Sequence, residues 1–230
     1  MLRQESYEKR KASEVSSENE WEEMANEVRG ERNAEGGIEV TGEDLSELQF
    51  TQIGEDDLQT VADLESQLYS QDTLQYATGI SYLEALLREP KAGEYSFMIE
   101  DKADEEQKPI GYCIAYETKS LSDPNFYGKS VYIADFGIVP EARKGAGTAL
   151  RAFDELLNRT EANGIDMVEM EARESTSYRL FTSNLAQRLL ARRGYVINDY
   201  GLSDDGWADG DKTYLLSLRK ADQTKNKKAA

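Results

Sequence analysis

A buried segment that ends at a proline and leads into a glycine-rich loop is the feature that most constrains this fold. Residues 131–139 are apolar and β-branched enough to form an inner strand, and Pro140 ends it. A basic loop containing Gly145 and Gly147 follows, and a helical pattern begins near Thr148. The N–H groups of such a loop and the positive end of the helix dipole attract anions. The order strand, loop, helix therefore predicts an α/β fold that binds a phosphorylated ligand.

The charge balance limits the partners of the chain. Its 230 residues carry a formal net charge of −18. This acidity disfavours binding to nucleic acid or to anionic membrane surfaces, and it suits a cationic substrate such as an amine or a basic peptide. Solubility alone explains the same charge equally well, and adaptation to salt is a further explanation.

The residue types present exclude several chemistries. The chain has one cysteine and no histidine, so an intrachain disulfide, a Cys/His zinc site and histidine-based catalysis are ruled out. Cys113 lies in an apolar segment, which indicates a core residue rather than a nucleophile. No apolar run reaches the roughly 20 residues that span a bilayer, and the first residues lack the apolar stretch of a signal peptide. We therefore expect a cytoplasmic protein that uses no metal ion.

Three segments of the chain differ in composition. Residues 1–46 are polar and acidic, which predicts a mostly disordered extension. Within it, the apolar stripe of Trp21, Met24 and Val28 predicts a short helix at residues 18–30 that docks on the main domain, on a partner or on nothing. Residues 47–219 are expected to form the folded domain, and the lysine-rich residues 220–230 a disordered tail.

From residue 48 onward the hydrophobic pattern is regular. It predicts strands at residues 48–53, 95–100, 109–118, 131–139, 167–172, 195–200 and 213–218. Apolar residues at helical spacing predict helices at residues 56–76, 79–88, 148–163 and 177–193. The order β-α-α-β-β-β-α-β-α-β-β predicts an α/β fold in which helices cover both faces of a mixed sheet.

This order of elements and three motifs resemble the GNAT superfamily of acyl-CoA-dependent N-acetyltransferases. Residues 136–150, FGIVPEARKGAGTAL, look like the family's strand, phosphate-binding loop and helix. Residues 186–195, AQRLLARRGY, look like its later helix with a closing Gly-aromatic pair, and residues 110–115, IGYCIA, look like the strand before the cofactor strand. The resemblance covers residues 48–219. It implies a GNAT-like mixed, mostly antiparallel sheet that is splayed at its central strands, with helices on both faces.

Two departures from the family pattern bear on activity. The loop from Arg143 to Gly145 is one residue shorter than in the family, and a reading from Ala142 restores the spacing but lacks the first Arg or Gln. Many members use a tyrosine four residues before the closing glycine as general acid toward the leaving thiolate, and here that position is Leu190. The acid is then water, is lacking, or is one of three other tyrosines, namely Tyr178, Tyr195 and Tyr200.

The resemblance implies which residues bind acetyl-CoA. The pantetheine arm pairs with backbone groups of Phe136, Ile138 and Val139, and Gly137 forms a strand bulge, although a glycine merely tolerated in a strand is the alternative. The pyrophosphate contacts the N–H groups of the loop and helix start, namely Arg143, Lys144, Gly145, Ala146, Gly147 and Thr148. The Thr148 hydroxyl bonds a phosphate or caps the helix. For the side chains of Arg143 and Lys144, the alternative is a solvated pair.

Asp135 is the candidate catalytic residue. It is the only carboxylate in the apolar segment before the predicted bulge, where several family branches place a general base that takes the proton of the amine. A buried aspartate is unfavourable unless it is paired or functional, so Asp135 is the base, an anchor for the amine, or a side chain bonded to a neighbouring loop. Glu169 and Glu171 lie on the polar face of their strand and either hold a cationic substrate or are solvated.

The sequence thus predicts an enzyme that moves an acetyl group from acetyl-CoA directly to a primary amine in a ternary complex. The acceptor is a small molecule or a protein amino group, and the sequence determines neither its identity nor the oligomeric state. The alternative is a catalytically silent GNAT-like module that binds acyl-CoA or a protein, which the short loop and Leu190 favour. A nucleotide-binding regulator without acyl chemistry is a third hypothesis.

Overall fold

A computed structural model describes most of the chain from Leu48 to Ala221. Within that range it leaves out residues 70–78, 103–107, 144–146 and 204–211. The predicted N-terminal extension, its helix at residues 18–30 and nearly all of the predicted tail lie outside the described residues, so the domain boundaries stay a prediction. None of the helices in the described ranges is long and apolar enough to cross a membrane.

Seven strands form one sheet in the described part of the chain. They are β1 (Leu48–Gln52), β2 (Phe97–Asp101), β3 (Pro109–Thr118), β4 (Ser130–Ile138), β5 (Met167–Arg173), β6 (Tyr195–Leu202) and β7 (Thr213–Lys220). Their order across the sheet is β1-β2-β3-β4-β5-β7-β6. Every neighbouring pair is antiparallel except β4 and β5, which run parallel. The predicted mixed, mostly antiparallel sheet is therefore confirmed.

Helices cover both faces of this sheet, as predicted. The longer ones are α1 (Leu58–Tyr69), α2 (Ile80–Leu87), α3 (Gly147–Ala162) and α4 (Asn184–Arg192). Helices α1 and α2 bury Val61, Leu64, Leu68, Leu83 and Leu86 against one face. Helices α3 and α4 bury Phe153, Leu156, Leu157 and Leu190 against the other. Because side chains alternate along a strand, each central strand contributes to both cores.

The predicted helix at residues 177–193 is interrupted. Residues Glu174–Tyr178 form a single π-helical turn and Arg179–Phe181 a short helical turn. Ser183 then adopts an extended backbone, and its hydroxyl accepts a hydrogen bond from the N–H of Ala186 at 3.2 Å. A serine at such a position offers the backbone an alternative to continued helical bonding, which is why it caps α4 and ends the preceding turn.

Gly111 on β3 packs directly against the backbone of β4. An alanine Cβ at Gly111 would lie 2.5 Å from the carbonyl oxygen of Gly137 on the facing strand. Backbone on both sides prevents an easy adjustment, so Gly111 is a packing requirement of the central sheet.

The substitution Gly111→Ala tests this requirement. We expect it to lower the free energy of unfolding by about 1–3 kcal/mol, because the added methyl forces the two strands apart. Urea denaturation measures the change. Gly54→Ala is the matched control, since the nearest atom to its new Cβ would be Asp57 Oδ2 at 3.6 Å. Equal stability of the two variants would contradict the proposed strand contact.

Candidate active site

Strands β4 and β5 separate halfway along β4. Residues Ser130 to Ile133 pair in parallel with Met167 to Met170. Beyond Ile133, β4 stays with β3 and β5 stays with β7. This is the splay of the central strands that the resemblance implied. It opens a gap beside residues 134–138, and an extended ligand can pair with a strand edge of this kind through its own amide groups.

The strand irregularity lies at Ala134, not at Gly137. Ile114 faces Asp135 whereas Ala115 faces Ile133, so Ala134 is an extra residue in β4. The prediction that Gly137 forms the bulge is therefore wrong, because Gly137 stands in regular register opposite Tyr112. The small size of Gly137 serves the packing of α1 instead. A Cβ there would lie 2.2 Å from Leu68 Cδ1, so α1 packs directly on the bare backbone.

The strand register sets which backbone groups of β4 face the gap. Val139 donates its N–H to Ile110 at 2.8 Å, and its carbonyl accepts from Ala142. Hydrogen bonding alternates along an antiparallel pair, so the N–H and C=O groups of Phe136 and Ile138 point away from β3. Phe136 and the N–H of Ile138 thus have the orientation expected of ligand-binding groups, while the Ile138 carbonyl already accepts from Arg143 Nε. Val139 does not have this orientation, because both of its backbone groups are already engaged.

The loop after β4 is partly described. Residues Pro140–Ala142 form a 3-10 turn, Arg143 Nε donates to the Ile138 carbonyl at 2.8 Å, and α3 begins at Gly147. Thr148 is buried and donates its hydroxyl to the Ala142 carbonyl at 3.0 Å, which ties the helix start to the turn. The hydroxyl proton of Thr148 is therefore used within the loop rather than offered to a phosphate.

Lys144, Gly145 and Ala146 lie outside the described residues. The first N–H groups of α3, from Gly147 onward, have no partner within the helix itself, and the helix dipole adds partial positive charge at the same end. The predicted anion site at the start of α3 accordingly stays a prediction for all six residues from Arg143 to Thr148.

Asp135 lies half-buried on the sheet face that α1 and α2 cover. Tyr112, which is fully buried on β3, donates its hydroxyl to Asp135 Oδ2 at 2.8 Å. Tyr82 on α2 faces the same region. Its pKa is raised by burial and by the negative charges of Asp135 and Glu65. A hydrogen bond to Asp135 thus comes from the neighbouring strand β3.

Two further tyrosines, Tyr116 and Tyr132, lie on the sheet face that carries Tyr112 and Asp135. The rings of Tyr116 and Tyr132 meet edge to face, with centroids 5.9 Å apart. Burial raises the pKa of both phenols, and nearby carboxylates, Glu89 for Tyr116 and Glu171 for Tyr132, raise it further. Tyr116 and Tyr132 were not predicted from the sequence. For Tyr116 a signal was available, because the spacing Tyr112-x-Ile114-x-Tyr116 in β3 places Tyr116 on the same face as Tyr112.

Glu169 and Glu171 have different surroundings although both point to the same face of β5. Glu169 is fully buried, and its carboxylate accepts from three hydroxyls and two backbone N–H groups, namely Ser120 Oγ, Ser122 Oγ, Ser130 Oγ, Leu121 N and Ser122 N. Glu171 is exposed and accepts from Ser203 Oγ at 2.6 Å. Glu169 therefore anchors the loop at residues 120–122. The two interpretations made from the sequence, a substrate contact and a solvated residue, are both wrong for Glu169.

The residues considered for the general acid have different surroundings in the structure. Leu190 is buried in the core, and Tyr195 is buried beneath Lys220, whose Nζ lies 4.5 Å from the ring centroid. Tyr200 is exposed and accepts from Arg219 Nη2 at 3.1 Å. Tyr178 follows the end of β5 closely and donates to Asp199 Oδ2 at 2.8 Å.

Cys113 is fully buried, and burial raises the pKa of its thiol. The prediction of a core cysteine is confirmed.

Replacement of Glu169 tests its role in holding the loop. Glu169→Gln puts an amide N–H₂ group among hydrogen-bond donors, so we expect the free energy of unfolding to fall by about 1–3 kcal/mol. Glu171→Gln, two residues along the same strand, is exposed and should stay within about 0.5 kcal/mol of the unmodified protein. Chemical denaturation of both variants makes the comparison. Equal effects would show that Glu169 does not anchor the loop.

The sequence matches no protein-family model and no curated protein, but the fold is similar to that of several solved acetyltransferases. The NatC complex bound to Gag peptide and CoA aligns with a TM-score of 0.56 at 14% identity, over 75% of this chain and 98% of that chain. Diaminobutyrate acetyltransferase EctA from Paenibacillus lautus, in complex with L-2,4-diaminobutyric acid and coenzyme A, aligns with a TM-score of 0.52 at 15% identity, over 76% and 96%. A GCN5-related N-acetyltransferase from Kribbella flavida aligns with a TM-score of 0.50 at 13% identity, over 76% and 98%. The chain has the fold of the GNAT superfamily of N-acetyltransferases.

Proposed function

We propose that this protein is an N-acetyltransferase that moves an acetyl group from acetyl-CoA to a primary amine. The observation that supports this most is the placement of Asp135 beside the splay. The backbone groups of Phe136 and Ile138 face the gap between β4 and β5, and Asp135 precedes them on the same strand. A binding edge for the acyl donor and a proton acceptor for the amine thus adjoin each other.

The described residues suit acetyl-CoA in two respects. The outward N–H and C=O groups of Phe136 and the outward N–H of Ile138 match the amides of a pantetheine arm, which pair as a strand would. The first N–H groups of α3 suit a pyrophosphate. When bound, acetyl-CoA supplies an activated acetyl thioester. An N–H of Phe136 or Ile138 directed into the gap is then placed to stabilise negative charge that develops on an oxygen.

Asp135 accepts the proton that an ammonium must lose before its nitrogen can attack. Asp135 is half-buried, and the hydrogen bond from Tyr112 favours its ionised form. Direct transfer in a ternary complex follows, because Cys113, the one cysteine, is buried and its pKa is raised. The phenols and carboxylates around Asp135 suit a cationic acceptor, either a small amine or a protein amino group.

A catalytically silent acyl-CoA-binding module is the second candidate. The observation that favours it is Leu190, which is buried in the core at the position where many members of the superfamily carry the tyrosine acid. Thiol release from acetyl-CoA separates the two candidates when it is measured with a panel of diamines, polyamines, lysine and peptides with free N-termini. Thermal stabilisation by acetyl-CoA without thiol release would support the silent module.

Gly145→Glu tests the binding of the acyl donor. The new carboxylate would fill the proposed phosphate site and repel the ligand, so we expect acetyl-CoA binding measured by calorimetry to be lost. Gly54→Glu, which adds the same charge at the end of β1, is the control and should bind acetyl-CoA normally. Unchanged affinity of Gly145→Glu would contradict the assignment of the loop.

Asp135→Asn tests the proposed base. The amide keeps the shape of the side chain but cannot take a proton, so kcat with the best acceptor of the panel should fall roughly 10²-fold or more while acetyl-CoA still binds. Asp63→Asn, at an exposed carboxylate of α1, is the control and should retain full turnover. A loss of stability with normal turnover of the folded variant would instead mean that Asp135 is a structural residue.

A further inference from the structure

We infer that Tyr112 is the positioning residue of Asp135, which it orients and keeps ionised. The two side chains come from adjacent strands, and the hydroxyl of one donates to the carboxylate of the other at 2.8 Å. The inference rests on the proposed function only where it concerns turnover, because the ionisation of Asp135 can be followed without any substrate.

The strand register explains how Tyr112 reaches Asp135. Tyr112 stands directly opposite Gly137, and Asp135 lies two residues away on the same face of β4. Diagonal neighbours of this kind lie within reach of an aromatic side chain across an antiparallel pair. The bulge at Ala134 comes immediately before Asp135 and changes the direction of the strand at that point.

The packing around Tyr112 leaves its hydroxyl little freedom. Its ring is fully buried in the apolar cluster that includes Leu64, Leu68 and Met98. Gly137 provides the space beneath it, since a Cβ there would lie 3.4 Å from Tyr112 Cε1 and much closer to Leu68. A phenol held in this way is already aimed at Asp135, so its hydrogen bond costs little ordering entropy when the carboxylate ionises.

Several titratable groups face Asp135 from the elements packed around it. Glu65 of α1 and Tyr82 of α2 face the same region, and Cys113 of β3 feels the charge of Asp135 from the other side of the strand. The negative charge of Glu65 and the partial burial of Asp135 favour the protonated carboxyl. The Tyr112 hydroxyl opposes them, because a hydrogen bond donated to a carboxylate stabilises its ionised form.

Removal of the Tyr112 hydroxyl should therefore make Asp135 ionise at higher pH. In Tyr112→Phe we expect the midpoint for the Asp135 carboxyl carbon, followed by NMR, to rise by about 1 pH unit. The signal is assigned by its loss in Asp135→Asn. The acidic limb of the pH profile of kcat/KM should move in the same direction by a similar amount, because turnover needs the ionised base.

Tyr95→Phe is the matched control. Tyr95 is also fully buried and donates its hydroxyl to a carboxylate, Glu117 Oε1, at 2.9 Å. It lies before β2, away from the gap between β4 and β5. Both variants should lose a similar amount of stability, but only Tyr112→Phe should move the Asp135 midpoint and the acidic limb.

The outcomes separate this inference from the proposed function. An unchanged Asp135 midpoint in folded Tyr112→Phe would overturn the inference. If the midpoint moves but the acidic limb of kcat/KM does not, Tyr112 positions Asp135 and Asp135 is not the base. If the unmodified protein turns over no amine, the proposed function fails and the carboxyl titration still decides the inference.

A measurement on the unmodified protein covers the case in which Tyr112→Phe does not fold. The hydroxyl-bearing ring carbon of Tyr112 should then change its chemical shift over the pH range in which Asp135 titrates, because the hydrogen bond between them changes. A constant shift of this carbon during the ionisation of Asp135 would overturn the inference.

Discussion

The fold depends on how strand β4 divides its pairing between two neighbours. It bonds to β3 along its whole length, but to β5 only from Ser130 to Ile133. Buried backbone groups normally have hydrogen-bond partners. The outward carbonyl of Ile138 accepts from Arg143 Nε, whereas the outward groups of Phe136 and the N–H of Ile138 face away from β3 without a neighbouring strand at this point. Because β5 turns away to pair with β7, these groups border a gap instead of a sheet. Asp135 lies on β4 directly before these groups.

The extra residue at Ala134 precedes the part of β4 where backbone groups and the Asp135 side chain point in different directions. After it, the N–H and C=O groups of Phe136 and Ile138 point along the sheet into the gap, while Asp135 points to the face that α1 and α2 cover. A ligand paired with the strand edge and a second ligand near Asp135 would thus approach from different directions. That separation suits a reaction between two substrates that must be bound together.

Local pattern was enough to predict the seven strands and the order of the elements, since strand alternation and Pro140 are readable from neighbours in sequence. It was not enough for features that depend on distant residues. The bulge lies at Ala134 because of the register with β3, and Gly137 is required by the approach of Leu68 from α1. Glu169 is buried because the loop at residues 120–122, far away in sequence, supplies its donors.

Glu169 and Asp135 show how two carboxylates on one face of a sheet come to differ in chemistry. The Glu169 carboxylate is enclosed and surrounded by hydroxyls and backbone N–H groups, so a proton from solvent has no easy access to it. Asp135 is only half-buried, and a buried phenol donates a hydrogen bond to one of its carboxylate oxygens. A carboxylate that is less enclosed and oriented by a fixed hydrogen bond is the better candidate for proton transfer. This difference supports Asp135, rather than Glu169, as the proposed base.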